Sequence, residues 1–508
     1  MTSLFDHGAY PPCPRPFNLA AHVLARGAAT PDKVALAILG PARAERWSYA
    51  RLISAVRGTA TGLLELGLRP GDRLLMRLDN DVEFPIAYLG AIAVGLVPVP
   101  TSPQLTAPET EAMLALIWPA AILRAPGIAC AETDLPVIGP ETLAAMRALP
   151  PADWHMGDPD RLAYIIFTSG TSGVPRAVCH AHRAIWARGM MQAGWEGLTP
   201  DDRLCHAGAF NWTYTLGTGL MDPWTQGATA LIPAPGTDLG QLPLLLARHD
   251  ATIFAAAPGV YRKILNQNDR LALPRLRHGL SAGEKLSESL RDRWEKATGT
   301  PVFEAFGMSE CSTFISSCPG RPADPATLGR PQPGRRVAIL EDGAPVPRGA
   351  PGTIAVHRGD PGLMLGYLDA PEATAARMSG DWFLTGDLGA MDADDQVTYL
   401  GRADDMMNAG GYRVSPIEVE AALAACPGIA QCAVTEIEVR ADARVIAAFY
   451  TGPETLPEDT LDRHMRARLA GYKCPRLYTR VPALPTGPNG KVQRRALGQM
   501  KDIQHDPA

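Results

Sequence analysis

The sequence predicts an α/β protein with a large N-terminal domain of helix-covered sheets and a small C-terminal α+β domain. Three observations carry that prediction. Short apolar runs alternate with segments of helical spacing through most of the chain, the pattern of sheets covered by helices. At 508 residues the chain is long enough for more than one compact unit. A small polar crossing at Gly401-Arg402-Ala403-Asp404-Asp405 separates the last hundred residues from the rest. The expected domains are therefore 1–403 and 404–508.

Taken in order, Val34–Leu39, Arg73–Leu78, Leu162–Phe167, Ala228–Ile232 and Thr252–Ala256 read as buried strands. Their residues are mostly apolar, as strands of sheets covered by helices require. Tyr49–Leu66 and Leu286–Thr298 carry the helical period between them. After the polar crossing, Ser415-Pro416-Ile417-Glu418 is a strong helix start. Ser415 suits the cap, Pro416 the first turn, and Glu418 the reciprocal capping position. Ala433–Val439 and Val445–Tyr450 then read as strands, and a second helix presents Leu461, Met465 and Leu469 on one face.

Composition excludes several functions. Charged residues make up 20% and the net charge is −5, so nothing draws the whole chain to nucleic acid or an anionic membrane. The nine cysteines are scattered without a CxxC pair, and nine cannot all pair within one chain. A reducing, cytoplasmic setting is expected. Met1–Asp6 and the prolines after it show no charged segment leading an apolar one, so no signal peptide is expected. Phe84 to Pro100 is the most apolar stretch, and it is short for a bilayer span. No membrane insertion is expected. Oligomeric state has no sequence signature here.

The most informative stretch runs from Ile165 to Arg176. An apolar strand enters Thr168-Ser169-Gly170-Thr171-Ser172-Gly173, then Val174-Pro175, then the cation Arg176, then a helical pattern. Glycines let backbone N–H groups close on an anion, and the hydroxyls add donors. A lone Ser/Gly loop is more often a surface turn; the strand before it and the cation after it favour a phosphate cradle. The GxxxxGK[ST] spacing is absent, so this is not a Walker loop.

This stretch resembles the phosphate loop of the adenylate-forming superfamily, which includes acyl-CoA synthetases, adenylation domains and luciferase. The sequence departs from that family's pattern at Arg176, where Lys is usual, and at Ala177, where Gly is usual. Arg keeps the charge in a bulkier, forked form. Further motifs follow in the family's order over about residues 20–500. Glu304-Ala305-Phe306-Gly307-Met308-Ser309-Glu310 resembles the segment that packs on adenine. The resemblance implies that Phe306 stacks on the base and that Glu310 holds Mg²⁺. Trp382-Phe383-Leu384-Thr385-Gly386-Asp387-Leu388-Gly389 resembles the ribose motif, which implies that Asp387 binds the vicinal hydroxyls. A carboxylate has the acceptor capacity for that task.

Residues Gly401 to Arg413 resemble the family's hinge, implying that Arg402 lies near ribose and phosphate and that Asp404 is the pivot. Gly410, Gly411 and Tyr412 would admit the thiol-bearing arm of coenzyme A. Pro485 to Arg494 resembles the catalytic-lysine loop, so Lys491 would reach the carboxylate and α-phosphate oxygens. With Thr168 and Arg176 it forms the expected catalytic set. In the family the small C-terminal domain is mobile and rotates between adenylation and thioester formation. The implied activity is an AMP-forming acid–thiol ligase using a small carboxylic acid, ATP and coenzyme A.

The family's acyl pocket corresponds to the segment carrying Phe210, Asn211, Trp212, Tyr214 and Thr215, with Gly283 and Ile315 as further walls. Asn211 carries no charge to pair with an ammonium, which disfavours amino acids. Trp212 and Tyr214 suit a flat ring or a short-to-medium chain, although these aromatics equally suit core packing. No Gly-x-[Asp/His]-Ser attachment site occurs in the tail, so free coenzyme A is the expected acceptor. A separate carrier protein is the alternative. A nucleotide-binding homologue with weakened catalysis is the competing reading from another class.

Overall fold

The computed structural model describes residues 1–168, 176–403, 405, 407–409, 412–440, 443–469, 471–487 and 492–498. The chain divides into two compact units. The larger comprises Phe5–Val337 and Val356–Phe383; the smaller comprises Met1–Leu4, Ala338–Ala355 and Leu384–Ala508.

The centre of the larger unit is a nine-stranded sheet among the described residues. Its middle strands are parallel, running through Val302–Met308, His278–Ala282, Ile253–Ala256, Arg203–His206, Thr229–Pro233 and Val34–Leu39. These strands are almost wholly buried, because helices such as Tyr49–Glu65 and Glu288–Thr298 cover the sheet. Ser48 and Ser287 cap those two helices by accepting the N–H of Arg51 and Leu290. A four-stranded parallel sheet holds Arg73–Arg77 beside Val97–Pro100 and Ala121–Arg124. The apolar run expected to be too short for a membrane is a buried helix, Glu83–Ala93, followed by the strand Val97–Pro100. Among the described residues no helix is long and apolar enough to cross a bilayer.

One expectation fails here. Arg176 opens a strand, Arg176–Ala181, rather than a helix; it returns antiparallel to Leu162–Thr168, with Thr168 opposite Arg176. Ala177, Val178 and Cys179 are buried there, and helix begins only at Ala184. A short, largely buried run between two strand partners gains more from ladder pairing than from one isolated helical turn.

In the smaller unit, Asp387–Met391 pairs antiparallel with Val397–Arg402, and Asp387 faces Arg402. Its C-terminal part is α+β. Gln431–Arg440, Ala443–Thr451 and Leu477–Arg480 form a sheet, and helices Pro416–Ala424 and Glu458–Arg466 cover it. Val419, Leu423, Val434, Ile446, Leu461 and Met465 make the core. Ser415 caps its helix by accepting the Glu418 N–H, but the Glu418 carboxylate accepts from Lys473 Nζ at 2.6 Å and forms no reciprocal cap. Leu469 lies past the end of the second helix and packs against the same core.

Candidate active site

Thr168 ends one strand directly opposite Arg176, which opens the next. Ser169, Gly170, Thr171, Ser172 and Gly173 lie outside the described residues. Beyond Arg176–Ala181 the next strand is Gly366–Tyr367, with Tyr367 opposite Val178. The Arg176 guanidinium stands over the Tyr367 ring, 5.2 Å from its centroid. The Tyr367 hydroxyl donates to Glu310 Oε1 at 2.7 Å, and both residues are buried. Burial, reinforced by the neighbouring Glu310 carboxylate, pushes the Tyr367 hydroxyl up to about 12, so it remains a donor at neutral pH. The loop cation and the predicted metal-holding acid are thus joined through one phenol.

Glu310 sits in the turn between Val302–Met308 and Ser312–Ser316. The ladder shifts register between Phe306 and Gly307, a bulge that brings the chain against itself. A Cβ on Gly307 would lie 2.1 Å from the Ser312 carbonyl oxygen, so only glycine fits. Arg335, fully buried, donates to the Thr313 carbonyl at 2.9 Å and to Asp360 at 2.6 Å, which pins the residues after the turn. Phe306 is half-buried, edge-on to Phe314 at 5.4 Å. Ala305 is buried in the sheet, and Met308 pairs with Ser312. The Ser309 carbonyl accepts from His180 Nε2 at 2.7 Å.

Glu304 turns the other way. Its buried carboxylate accepts from Lys285 at 3.1 Å, Arg291 at 3.3 Å and the Leu286 N–H at 2.9 Å. Burial raises its pKa, and Lys285 opposes that shift.

In the smaller unit Asp387 is buried, with Tyr399 donating to Oδ1 at 3.1 Å and Arg402 to Oδ2 at 3.4 Å. Burial, and then the Asp387 charge, drive the Tyr399 hydroxyl well above its ordinary range. Tyr412 opens the strand Tyr412–Val414, paired with Ala409. Asp404, Gly410, Gly411 and Lys491 lie outside the described residues.

The acyl segment splits in two. Phe210 is fully buried against Phe84, 5.3 Å between rings, and its N–H bonds to Asn80 Oδ1. Asn211, Trp212 and Thr213 are only half-buried. Trp212 meets Tyr214 edge-on at 5.1 Å and lies against Gly283, whose φ is +95°. A Cβ there would sit 2.7 Å from the indole. Tyr214 donates to the Leu280 carbonyl at 3.0 Å, Thr215 is buried, and Ile315 is buried with its backbone opposite Phe306. Trp212, Tyr214 and Gly283 are therefore brought together, and Phe210 belongs to the core.

The structure also adds residues that carried no sequence signal. Tyr164 and His180 stack at 4.9 Å, and with Arg188, Thr213, Ser309 and Ser312 they line a small cavity beside the acyl segment. Burial holds the His180 imidazole down at about 4, so it is neutral at pH 7.

The sequence matches the AMP-binding enzyme family over residues 24–368 and its C-terminal domain over 418–491. The chain belongs to the AMP-binding enzyme family. This AMP-binding enzyme is 30% identical to a 3-hydroxybenzoate–CoA ligase of Aromatoleum sp. (strain CIB), covering 91% of this chain and 93% of that one. Its fold is similar to a benzoate CoA ligase from Burkholderia xenovorans LB400, with a TM-score of 0.85 and 25% identity over 95% of this chain and 99% of that one. It is similar too to the anthranilate CoA ligase AuaEII in complex with anthranoyl-AMP, with a TM-score of 0.86 and 25% identity over 96% and 98%.

Proposed function

We propose that this chain is an ATP-dependent carboxylate–CoA ligase acting on an aryl or short-to-medium carboxylic acid. The observation that supports the reading is the Arg176–Tyr367–Glu310 array, a cation and a carboxylate joined through one phenol, which would serve a nucleotide's phosphates and their metal. The aryl-CoA ligases among its relatives support the aryl choice.

The reaction follows from positioning. The substrate carboxylate attacks the ATP α-phosphorus, the bond to the bridging oxygen breaks, and pyrophosphate leaves. The coenzyme A thiolate then attacks the acyl carbon and AMP leaves. No protein nucleophile is required; the protein holds two anions together and offsets developing charge. Arg176, the loop 168–173 and Lys491 would supply that charge and those donors. Phe306 would carry the adenine and Asp387 the ribose hydroxyls, with Arg402 beside them.

Among the described residues no group of three or more His, Cys, Asp or Glu could hold a metal ion. A lone carboxylate fits Mg²⁺ nonetheless, because Mg²⁺ is commonly held by one or two carboxylates with substrate phosphates. Glu310 would hold it, and bound Mg²⁺ would neutralise the phosphate charge. Residues 404–508 would act as the closing domain, with Asp404 as hinge and Gly410, Gly411 and Tyr412 admitting coenzyme A.

The test is ATP/pyrophosphate exchange with benzoates, fatty acids and amino acids, repeated with coenzyme A while thioester is followed by mass. Exchange with thioester formation is expected for an aromatic or short-to-medium acid. Exchange without thioester would replace the reading with a carrier-loading adenylase, and no exchange would leave a nucleotide-binding homologue.

A further inference from the structure

We propose that Arg188 and Ser312 form a polar subsite in the small cavity beside the acyl segment, which takes a hydroxyl group borne by the substrate acid. The inference rests on the ligase reading above and deepens it.

The cavity joins three parts of the larger unit. Thr213, Leu216 and Met221 come from the acyl segment and the helical turns after it; Ser309 and Ser312 from the turn bearing Glu310; Tyr164 and His180 from the phosphate hairpin. Its volume is ≈ 20 Å³, room for about one water-sized group and none for a ring or a carboxylate. A single-atom substituent on a ring held by Trp212 and Tyr214 matches that size.

The wall chemistry selects which substituent. Arg188, itself buried, donates from Nε to Asp222 Oδ1 at 2.7 Å and pairs a second time with Asp222 through Nη2. It also donates to Ser312 Oγ at 2.7 Å and to Thr218 Oγ1 at 3.1 Å. Glu196 is fully buried and accepts from Thr218 at 3.0 Å; burial, and then the neighbouring Asp222 carboxylate, raise its pKa. The Arg188 charge is already met by Asp222, so the site offers no free cation to a substrate anion. A methyl in the cavity would strand polar walls, and a second carboxylate would bury an unpaired charge.

A hydroxyl suits them. The Ser312 hydroxyl donates to the Met191 thioether at 3.4 Å, a weak acceptor that a substrate oxygen would replace. His180 Nδ1 is buried with no hydrogen-bond partner among the described residues, an acceptor left for a hydroxyl proton. The site is built around the arginine: Gly217, in the π-helical turn Thr215–Met221, leaves the space that a Cβ would take 2.3 Å from the Arg188 guanidinium.

The experiment compares kcat/KM for the three hydroxybenzoates, the three methylbenzoates and the benzenedicarboxylates, with wild type and Ser312→Ala. One hydroxy isomer should exceed its methyl counterpart by about tenfold or more, the scale of one hydrogen bond, and the dicarboxylates should be the poorest. Ser312→Ala should lower that hydroxy-over-methyl ratio about tenfold. Equal values for hydroxy and methyl acids, or a ratio unmoved by Ser312→Ala, overturn the subsite and leave the ligase reading intact. No turnover of any acid overturns the ligase reading and the subsite with it. Arg188 variants are avoided because breaking a buried ion pair threatens folding.

Discussion

The hydroxyl of Tyr367 donates to Glu310 across 57 residues of sequence, and the same ring lies under the Arg176 guanidinium. One side chain thereby orients both the carboxylate expected to hold Mg²⁺ and the cation expected to meet phosphate. A partner of this kind typically sets metal affinity by 10- to 100-fold. Tyr367→Phe should raise the Mg²⁺ concentration for half-maximal pyrophosphate exchange by about tenfold or more. A titration of Mg²⁺ with the variant and wild type checks this, and superimposed curves would refute the coupling.

Lys491 is expected to act in adenylation only. Lys491→Ala should slow pyrophosphate exchange by about 10²- to 10³-fold, the usual loss for one charge-stabilising donor. The same variant should still convert a supplied acyl-adenylate and coenzyme A to thioester at near the wild-type rate. Loss of both half-reactions would assign the lysine to a shared or structural role.

Gly283 supplies the space for Trp212. Gly283→Ala forces a side chain into a φ of +95° and against the indole. Stability should drop by about 1–3 kcal/mol from backbone strain. The KM for the acid should rise several-fold while the KM for ATP stays level. A parallel rise in both would show that the change spreads beyond the acyl pocket.

Acid should unfold this protein through its buried histidines. Burial holds His22, His180 and His278 down at about 4, and His182 and His206 at about 3, against an ordinary 6.5. Between those values and 6.5 the unfolded chain binds the extra protons, so stability is full above 6.5 and is lost as pH falls. At pH 5 each such histidine costs about 2 kcal/mol. Thermal melts at pH 7 and 5 should differ strongly, and His206→Gln should reduce the difference. Equal melting temperatures at the two pH values would contradict the linkage.

Much of this was legible in the chain. Strands at Val34–Leu39 and Ile253–Ala256, and helices after Ser48, Ser287 and Ser415, follow from apolar runs and capping residues that act locally. The helical pattern expected after Arg176 failed because strand pairing with Leu162–Thr168 and Gly366–Tyr367 outweighed a local preference. Phe210 and Trp212 stand two residues apart with the same aromatic character, yet one is fully buried against Phe84 and the other lies against Gly283.

By itself the sequence determined the order of the motifs, the kinds of element that carry them and the residue types they offer. Those properties are local, written in periodicity, caps and short runs of chemistry. Only the tertiary structure decided which distant residues meet. Tyr367 reaches Glu310, and Arg188 reaches Ser312 across 124 residues, because sheet register and core packing bring them together. Register is set by the apolar surface the whole chain buries, a sum over many residues that no single stretch records.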